Sequence, residues 1–387
     1  MGFTQAQPRP FYTFLLKVAS RCNLDCDYCY IYHRTDQSWR SRPRFMSDEV
    51  TEATAERIAE HVRAHQLREV QVVFHGGEPM LAGPTRLRHI LTLLRDTIPC
   101  RVCFGAQTNA TLLSEALLEL FSEFDLKLGV SLDGGRRAND SHRLYADGSS
   151  SHERVLSGLK LMRSKPRWAR LWAGFLVVID LEHDPLEVYR DLCRLAPPSI
   201  DFVLPDCHHE APPPRPAYDA RRDAYGRWLS TIFEAWYSEQ SPVDIRYFDE
   251  IMALMLGAPS ELETIGATSV DLIVVEADGQ IEAVDTLKAV GREATTLGLD
   301  VLRNGFDDAL RHPAVYARMS GFEALCSSCR SCPELRNCGG GYIPHRYSAE
   351  AGFLNPSVYC EDLRWLFGTI RRHIRADLKR AWPARTR

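Results

Sequence analysis

The sequence predicts an α/β protein in which a parallel sheet precedes a smaller cysteine-rich region. Over the first two-thirds of the chain, short apolar runs alternate with helical patterns, as in repeated βα units. The 387 residues, 45% of them hydrophobic, are enough to bury a large core in one or two domains. Two groups of cysteines, one near each end of the chain, add metal chemistry to this fold.

Six strands and five helices make up the predicted repeats. The strands are apolar runs at Phe11–Val18, Val70–Phe74, Arg101–Ala106, Lys127–Leu132, Leu171–Ile179 and Ile200–Pro205. The helices between them are predicted at Ser47–His65, Pro84–Asp96, Ser114–Phe124, Ser151–Arg163 and Pro185–Leu195. Ser47 illustrates the start signal, because a serine N-cap followed by acidic residues stabilises a first helical turn.

A proline-rich stretch, Ala211–Pro216, ends the repeat pattern. We expect three regions, which are a barrel-like repeat domain at 1–215, a helical linker at 216–265 and a cysteine-rich domain with a C-terminal helix at 266–387. Helices are predicted in the linker at Tyr218–Ser238 and Asp249–Leu256. Asp278-Gly279 between apolar runs predicts a β-hairpin in the last region.

The composition excludes several classes of protein. A net charge of −4, from 47 basic and 51 acidic residues, does not indicate the basic surface that is typical of nucleic-acid-binding proteins. No apolar run approaches the ~20 residues that a membrane span needs, and residues 1–10 lack the apolar core of a signal peptide. Twelve cysteines without an export signal indicate metal ligation in a reducing compartment rather than disulfides, so we expect a cytoplasmic protein.

The most informative motif is a tight loop that places Cys22, Cys26 and Cys29 directly after the first strand. A [4Fe–4S] cluster normally takes four cysteine thiolates, so three leave one iron open to an outside ligand. The alternatives are a structural zinc loop and a disulfide cluster. A closed zinc site needs four protein ligands in paired spacing, which this loop alone does not supply. The spacing therefore favours a cluster that takes part in chemistry.

Polar residues follow the next three strands at the same predicted edge of the sheet. The run His75–Pro79 follows strand two, Gln107–Asn109 follows strand three, and Ser131–Gly134 ends strand four. In parallel barrels the functional groups lie at the carboxyl ends of the strands. For Asn109 and Asp133, local turn formation is an equal alternative.

The Cys22–Cys29 loop followed by Gly76-Gly77-Glu78-Pro79 resembles the signature of the radical S-adenosylmethionine (SAM) enzymes. The resemblance implies a partial (β/α)6 barrel, a [4Fe–4S] cluster whose open iron binds the methionine end of SAM, and cleavage of SAM to a 5′-deoxyadenosyl radical. The implied SAM contacts are Tyr28 beside the adenine, Gly76, Gly77 and Glu78 at the methionine amino group, Asn109 and Ser131 at the ribose or carboxylate, and Arg143 at the carboxylate. A guanidinium suits a carboxylate; Arg136, Arg137 and Arg154 are competing candidates.

The C-terminal cysteines resemble the SPASM domain of radical SAM peptide maturases. The resemblance implies that one auxiliary [4Fe–4S] cluster is bound by Cys329, Cys332, Cys338 and Cys360. A four-cysteine zinc site is the competing interpretation, because it uses similar spacing. Cys326 lies just before this set and is left without an assigned role.

The match to the SPASM pattern is incomplete. A full domain holds a second auxiliary cluster, but Val284 and Tyr342 occupy two positions at which it has cysteines. We therefore expect a truncated SPASM-like domain with one auxiliary cluster. Asp285 directly follows Val284. In the related sulfatase-maturing enzymes, an Asp at this position removes a proton from the substrate intermediate. A carboxylate would suit this role if burial kept its pKa near neutrality. The alternative is that Asp285 caps a turn.

The runs Cys338–Tyr347 and Asn355–Cys360 resemble the FxsB-type branch of these maturases, and the likeness extends from Phe11 to about Phe367. It implies an enzyme that joins an aromatic side chain to a nearby β-carbon of a ribosomally made precursor peptide, forming a cyclophane. It also implies a flavodoxin or ferredoxin as electron donor. Only about ten residues precede the first strand, so leader binding is expected at the barrel rim, the C-terminal domain or a separate protein.

Two groups of alternatives remain for the function. Other SPASM chemistry would use the same motifs: thioether formation, epimerisation, or oxidation of a sulfatase Cys or Ser to formylglycine. From a different class, a non-catalytic iron–sulfur or zinc protein could bind peptides or sense redox state. That protein would leave SAM uncleaved.

Overall fold

The computed structural model describes residues 9–219, 221–238, 243–260, 262–266, 271–319 and 321–381. The chain forms two compact units. The first comprises Met1–Leu176 and Val270–Ser320, and the second comprises Val177–Ser269 and Gly321–Arg387. The three regions expected from the sequence stay a prediction.

All six predicted strands are present, and their ends differ from the prediction by at most two residues. The strands of the described residues are β1 (Thr13–Ala19), β2 (Glu69–Gly76), β3 (Arg101–Thr108), β4 (Lys127–Ser131), β5 (Trp172–Val178), β6 (Ser199–Val203), β7 (Asp244–Ile245), β8 (Leu272–Val275), β9 (Gln280–Glu282) and β10 (Thr296–Asp300). The predicted hairpin is the antiparallel pair β8–β9.

The five predicted repeat helices are also confirmed, with ends that differ by at most one residue. The α-helices are α1 (Asp48–His65), α2 (Gly83–Thr97), α3 (Glu115–Glu123), α4 (Arg136–Asp140), α5 (His152–Arg163), α6 (Pro166–Ala169), α7 (Pro185–Arg194), α8 (Ala224–Ser238), α9 (Arg246–Met255), α10 (Arg292–Thr295), α11 (Phe306–Leu310), α12 (Pro313–Met319), α13 (Ser327–Arg330), α14 (Leu335–Cys338) and α15 (Cys360–Ala381). Short 3₁₀ helices cover Ser38–Arg40, Pro79–Ala82, Asp285–Ala289, Gly321–Ala324 and Ile343–Arg346.

Local chemistry fixes where these helices begin. The Ser47 side chain accepts from Val50 N at 3.2 Å at the start of α1, as expected for an N-cap serine. The predicted linker helix begins six residues later than expected, at Ala224. Arg215 explains this delay in part, because its guanidinium donates to the carbonyl oxygens of Arg221 and Arg222 and holds them in a loop. Residue 220 of that prediction lies outside the described residues.

The sheet of the first unit brings distant parts of the chain together. Its strand order is β10-β9-β8-β1-β2-β3-β4-β5, with β1 to β5 and the β8–β1 pair all parallel. This parallel sheet with helical crossovers has the α/β architecture expected from the sequence. Because β8 runs parallel beside β1, the turn between β8 and β9 lies toward the carboxyl end of β1, and Asp285, three residues after β9, contacts Lys17 of β1. The buried core lies around β1 and β2, where Phe14, Leu16 and Phe74 have no exposed surface.

In the second unit, β6 pairs in parallel with β7, and α8 packs against α15. Gly226 allows the close approach of these helices, because a β-carbon there would lie 2.2 Å from the Asp362 carbonyl oxygen. Asp362 Oδ1 accepts from Gly226 N at 3.0 Å, and burial raises the Asp362 pKa to about 6. None of the described helices combines the length and the hydrophobicity that a transmembrane span requires.

Candidate active site

The first cysteine loop lies at the carboxyl end of β1 and is fixed by backbone hydrogen bonds. Gly77 N donates to Ala19 O at 3.0 Å, and Glu78 N donates to Arg21 O at 3.0 Å. Asp25 N donates to Leu144 O at 2.8 Å. The end of β2 and the segment after α4 therefore hold the loop from two sides.

The two glycines of the Gly-Gly-Glu motif are required by this close approach. A β-carbon on Gly76, whose φ is +135°, would lie 2.0 Å from Ala19 O. A β-carbon on Gly77 would lie 2.0 Å from Tyr32 Oη and 2.3 Å from Arg21 O. The sequence suggested that these glycines admit a ligand; in the structure they admit the backbone of the cysteine loop.

The thiols of Cys22, Cys26 and Cys29 fit an iron–sulfur cluster. Burial raises the pKa of Cys22 to about 12 and that of Cys26 to about 11, so a positively charged metal centre is needed to hold them as thiolates. Leu24 N donates to Cys22 Sγ at 3.3 Å, and Asn109 Nδ2 lies 3.9 Å from the same sulfur. Hydrogen bonds to sulfur are a regular feature of such clusters.

Glu78 fixes the ends of β2 and β3 from inside the protein. Its buried carboxylate accepts from Asn109 N at 2.8 Å, Thr108 Oγ1 at 2.8 Å and Met80 N at 3.0 Å. Burial raises its pKa despite these donors. Both oxygens are engaged within the protein, so a SAM contact at Glu78 stays a prediction.

The side chains at the ends of β3 and β4 are oriented by their neighbours. Asn109 is buried and donates from Nδ2 to Asn23 Oδ1 at 3.0 Å, while its Oδ1 accepts from Thr111 N at 3.0 Å. It therefore combines a turn role with a contact to the cysteine loop. Ser131 Oγ accepts from Gln107 Nε2 at 2.8 Å, which places it at the same edge of the sheet.

Arg143, Tyr28 and Asp133 form a buried charged group beside the first cysteine loop. Tyr28 Oη accepts from Arg143 Nη1 at 2.7 Å and donates to Asp133 Oδ2 at 2.5 Å. Arg143 is 8% exposed, and its Nε is buried without a hydrogen-bond partner among the described residues. A free donor at this position suits a carboxylate ligand. The competing candidates are all exposed, which favours Arg143; they are Arg136, Arg137 and Arg154.

Asp285 lies in a buried network at the carboxyl ends of β1 and β2. Its Oδ2 forms an ion pair with Lys17 Nζ, accepts from Tyr30 Oη at 2.6 Å and lies 3.4 Å from His75 Nδ1. Lys17 Nζ is also 2.8 Å from His75 Nδ1, since these two residues are register partners on β1 and β2. Lys17 and Asp285 are 2% and 4% exposed.

The structure corrects the expected protonation behaviour of Asp285. Burial alone would raise its pKa, but the charge of Lys17 and the bonds from Lys17 and Tyr30 outweigh burial, so the pKa lies well below its usual range. The sequence-based expectation of a pKa near neutrality was wrong because the cation partner could not be seen locally. Burial and Lys17 lower the His75 pKa to about 4, so this imidazole is neutral at pH 7.

A second group of buried charges lies beside this network. Arg42 forms ion pairs with Glu276, at 2.6 Å, and with Glu282. Lys288 Nζ lies 2.7 Å from Glu282 Oε2 and 3.4 Å from Asp36 Oδ2. A cavity is lined by four of these groups, Arg42, Glu276, Lys288 and Asp36, together with Lys17, Ser20, Ile31, Ser38, Trp39, Gly76 and Gly77. Lys288 is thus tied into an ion-pair network.

In the second unit, the C-terminal cysteines lie within electrostatic range of one another, and their role as cluster ligands stays a prediction. The charges that act on Cys329 include those of Cys338 and Cys360, and those acting on Cys338 include Cys360 and Cys332. Cys326 hydrogen-bonds with Cys329 and therefore lies beside the set.

A single zinc ion requires a closer spacing of thiols than an iron–sulfur cluster does. Among the described residues, only His61, His65 and Asp307 bring three His, Cys, Asp or Glu ligand atoms within 4.8 Å of one another. Tetrahedral zinc with Zn–S of about 2.3 Å needs sulfurs about 3.8 Å apart. No three thiols of the described cysteines meet the 4.8 Å limit, and iron–sulfur binding at both cysteine sets stays a prediction.

Sequence reasoning missed Lys17, Tyr30 and His75 as partners of Asp285. One signal was available, because Lys17 is a charged residue inside an otherwise apolar strand. Such a residue is buried only with a partner. The partner lies 268 residues away along the chain.

Comparisons with known proteins agree with this geometry. Residues 16–192 match the model of the Radical SAM superfamily. The chain is 24% identical over 368 residues to the cysteine-type anaerobic sulfatase-maturating enzyme of Clostridium perfringens (strain 13 / Type A), covering 92% of this chain and 96% of that protein. It is 24% identical over 360 residues to the serine-type enzyme of Bacteroides thetaiotaomicron, covering 89% and 85%.

Solved structures match over nearly the whole length. Native anSMEcpe with bound AdoMet and Cp18Cys peptide matches with a TM-score of 0.80 and 22% identity, covering 96% of this chain and 100% of that chain. Streptococcus suis SuiB bound to precursor peptide SuiA matches with a TM-score of 0.58 and 14% identity, covering 91% and 76%. At these identities the matches establish the fold.

Proposed function

We propose that the protein is a radical SAM enzyme that oxidises a peptide or protein side chain at its β-carbon, because residues 16–192 match the model of the Radical SAM superfamily. When bound, the cluster and SAM supply a 5′-deoxyadenosyl radical that takes a hydrogen atom from the substrate. The protein's own residues would hold SAM, place the substrate carbon and accept the proton that leaves afterwards.

The observation that carries this proposal is the link between Asp285 and the cysteine loop. Tyr30, which follows Cys29 directly, donates from its hydroxyl to Asp285 Oδ2 at 2.6 Å. A buried carboxylate is therefore held next to the loop where the radical would form. This juxtaposition suits a reaction in which hydrogen-atom removal is followed by proton removal from the same region.

A weakly basic carboxylate is adequate for this task. The substrate would lose its proton only after a hydrogen atom and an electron have left, and such an electron-poor intermediate is strongly acidic. The ion pair with Lys17 keeps Asp285 ionised, so the acceptor is ready before the intermediate forms. Catalysis by a positioned acid or base typically contributes about 10²–10⁴-fold.

We place the reaction closest to that of the anaerobic sulfatase-maturating enzymes, which would convert a Cys or Ser side chain to an aldehyde. The near full-length likeness to both the cysteine-type and serine-type enzymes supports this choice. Aromatic crosslinking to a cyclophane is the second candidate. It is favoured by Val284 and Tyr342, which replace two cysteines of the full SPASM pattern. Both reactions would use an external electron donor of the flavodoxin or ferredoxin type.

Peptide assays distinguish the two candidates. Anaerobically reconstituted protein is incubated with SAM, a reductant and two peptide sets, one with a sulfatase-type Cys or Ser and one with an aromatic residue near an aliphatic β-carbon. Mass spectrometry should show an aldehyde that traps hydrazine in the first set. A loss of two hydrogens with no reactive carbonyl, confined to the aromatic set, would replace this assignment with crosslinking. If no 5′-deoxyadenosine is released with either peptide set, the proposed function is excluded.

Arg143 provides a test of the SAM site. Replacing Arg143 by lysine should weaken SAM binding about 10- to 100-fold, since a charge-assisted hydrogen bond contributes about 1.5–3 kcal/mol. Anaerobic calorimetry with SAM would measure the change. The matched control is Arg137→Lys, because that arginine is exposed on α4. Unchanged affinity in Arg143→Lys would show that this guanidinium does not bind SAM.

A further inference from the structure

Arg346 is a buried cation with no carboxylate partner among the described residues. It ends the 3₁₀ helix Ile343–Arg346 and is 8% exposed. Its Nε and Nη1 atoms are both buried and have no hydrogen-bond partner in the described part of the chain. Such an arrangement is unusual, because a buried charge is strongly unfavourable unless it is paired and hydrogen-bonded.

The groups that face this guanidinium are thiols. Those whose charges act on Arg346 are Cys329, Cys338 and Cys326. The first two belong to the predicted auxiliary ligand set, and the third lies beside it. Arg346 is therefore a buried cation within electrostatic range of thiols that metal binding would convert to thiolates.

The local backbone keeps that position open. A β-carbon on Gly340 would lie 3.4 Å from Arg346 Nη1 and 2.5 Å from Leu325 Cδ2. Gly340 also has a φ of +88°, which favours glycine. Asn355 Nδ2 donates to Arg346 O at 3.0 Å and fixes the backbone on the other side. The guanidinium is thus built into the fold beside Cys338.

We propose that Arg346 is the internal counter-ion of the auxiliary cluster, donating to its thiolate sulfurs and raising its reduction potential. Four thiolates give an oxidised [4Fe–4S] centre a net negative charge, and each added electron makes it more negative. A fixed cation in a low-dielectric site stabilises the reduced form more than the oxidised form. Hydrogen bonds to the sulfurs act in the same direction. This inference rests on cluster binding and is independent of the substrate.

Arg364 offers a matched comparison on the same site. Arg364 interacts electrostatically with Cys332 and Cys360, but its side chain is 48% exposed. Solvent and salt screen an exposed charge. The two arginines carry the same charge toward the same ligand set. They differ in burial, and Arg364 also hydrogen-bonds with Cys332 and pairs with Glu361 at 3.7 Å.

The test is an EPR-monitored redox titration of the auxiliary cluster in the full chain. Cys22, Cys26 and Cys29 are replaced by alanine so that only this cluster contributes. Arg346→Gln should shift the redox equilibrium at least tenfold toward the oxidised form, equivalent to 59 mV for a one-electron couple. Arg346→Lys should shift it less, and Arg364→Gln less than threefold. An unchanged potential in Arg346→Gln, or an equal shift in Arg364→Gln, would overturn the proposal, as would a site that takes zinc and no iron.

A second measurement covers the case in which Arg346→Gln does not assemble the cluster. Thermal unfolding is followed in metal-free and iron-loaded protein for wild type and Arg346→Met. The variant should raise the midpoint of the metal-free protein, where the guanidinium has no anion beside it, and lower that of the loaded protein. A decrease of equal size in both forms would reduce Arg346 to a packing role. Because neither experiment uses SAM or peptide, failure here is distinct from failure of the proposed function.

Discussion

Replacing Asp285 by asparagine should leave 5′-deoxyadenosine release intact and lower peptide product formation by at least about 100-fold. The substitution removes the proton acceptor next to the cysteine loop and spares the cysteines and the group around Arg143. Both products are measured in one anaerobic assay, by chromatography for the nucleoside and mass spectrometry for the peptide. The ratio of the two reports how tightly hydrogen-atom removal is coupled to product.

Two further variants show whether the loss of product depends on Asp285 itself. Tyr30→Phe removes the 2.6 Å hydrogen bond to Asp285 but keeps the ion pair with Lys17, so a smaller loss of product is expected. Asp278→Asn changes a partly exposed acid on the β8–β9 hairpin and should leave the product ratio unchanged. Full product formation in Asp285→Asn would exclude this residue as the proton acceptor.

The low pKa of Asp285 also sets its pH dependence. A carboxylate with a depressed folded-state pKa contributes stability above its unfolded value of about 3.9, and the contribution is lost only as pH falls through the lower folded value. Asp285 should therefore stay ionised throughout pH 5–8, and its contribution to the product ratio should be constant over that window.

Replacing Lys17 by methionine should destabilise the protein by about 3–5 kcal/mol, because it leaves a buried carboxylate without its cation. Lys17 is 2% exposed on β1, and it contacts both Asp285 and His75. Denaturant unfolding of the metal-free protein would measure the loss. The double variant Lys17→Met with Asp285→Asn should recover most of it, because both charges are then absent.

Lys127 is the matched control for this experiment. It also lies on a strand of the same sheet, but its side chain is 47% exposed and pairs with Asp125 at the surface. Lys127→Met should change stability by no more than about 0.5 kcal/mol. A loss in Lys17→Met no larger than that of the control, or no recovery in the double variant, would show that the buried ion pair does not stabilise the fold as described.

The repeat region could be predicted well because its signals are local. The strands β1 to β6 and the five helices α1, α2, α3, α5 and α7 follow from apolar runs and caps such as Ser47, whereas the short helices α4 and α6 were not predicted. The Cys22–Cys29 loop and the Gly76-Gly77 turn are likewise contiguous in sequence. The late start of α8 was missed because Arg215 holds the carbonyls of the preceding loop, a contact that no helical periodicity encodes.

The surroundings of Asp285 could not be predicted from local pattern. Its partners come from β1, β2 and the first cysteine loop, and they meet it because β8 pairs with β1 and places the β8–β9 hairpin beside that strand. The burial of Asp285 was expected, but its ion pair with Lys17 was not, so the direction of the pKa shift was wrong. Arg346 was missed for the same reason, since its buried, unpaired state appears only in the folded chain.

We propose that Cys22, Cys26 and Cys29 hold the cluster that cleaves SAM. The most direct measurement is 5′-deoxyadenosine release by anaerobically reconstituted, reduced protein, paired with EPR of the reduced cluster. The wild type should show both the signal and the nucleoside, and Cys29→Ser should lose the nucleoside. If SAM stays intact with fully loaded, reduced wild-type protein and peptide present, the cysteine loop does not hold a SAM-cleaving cluster.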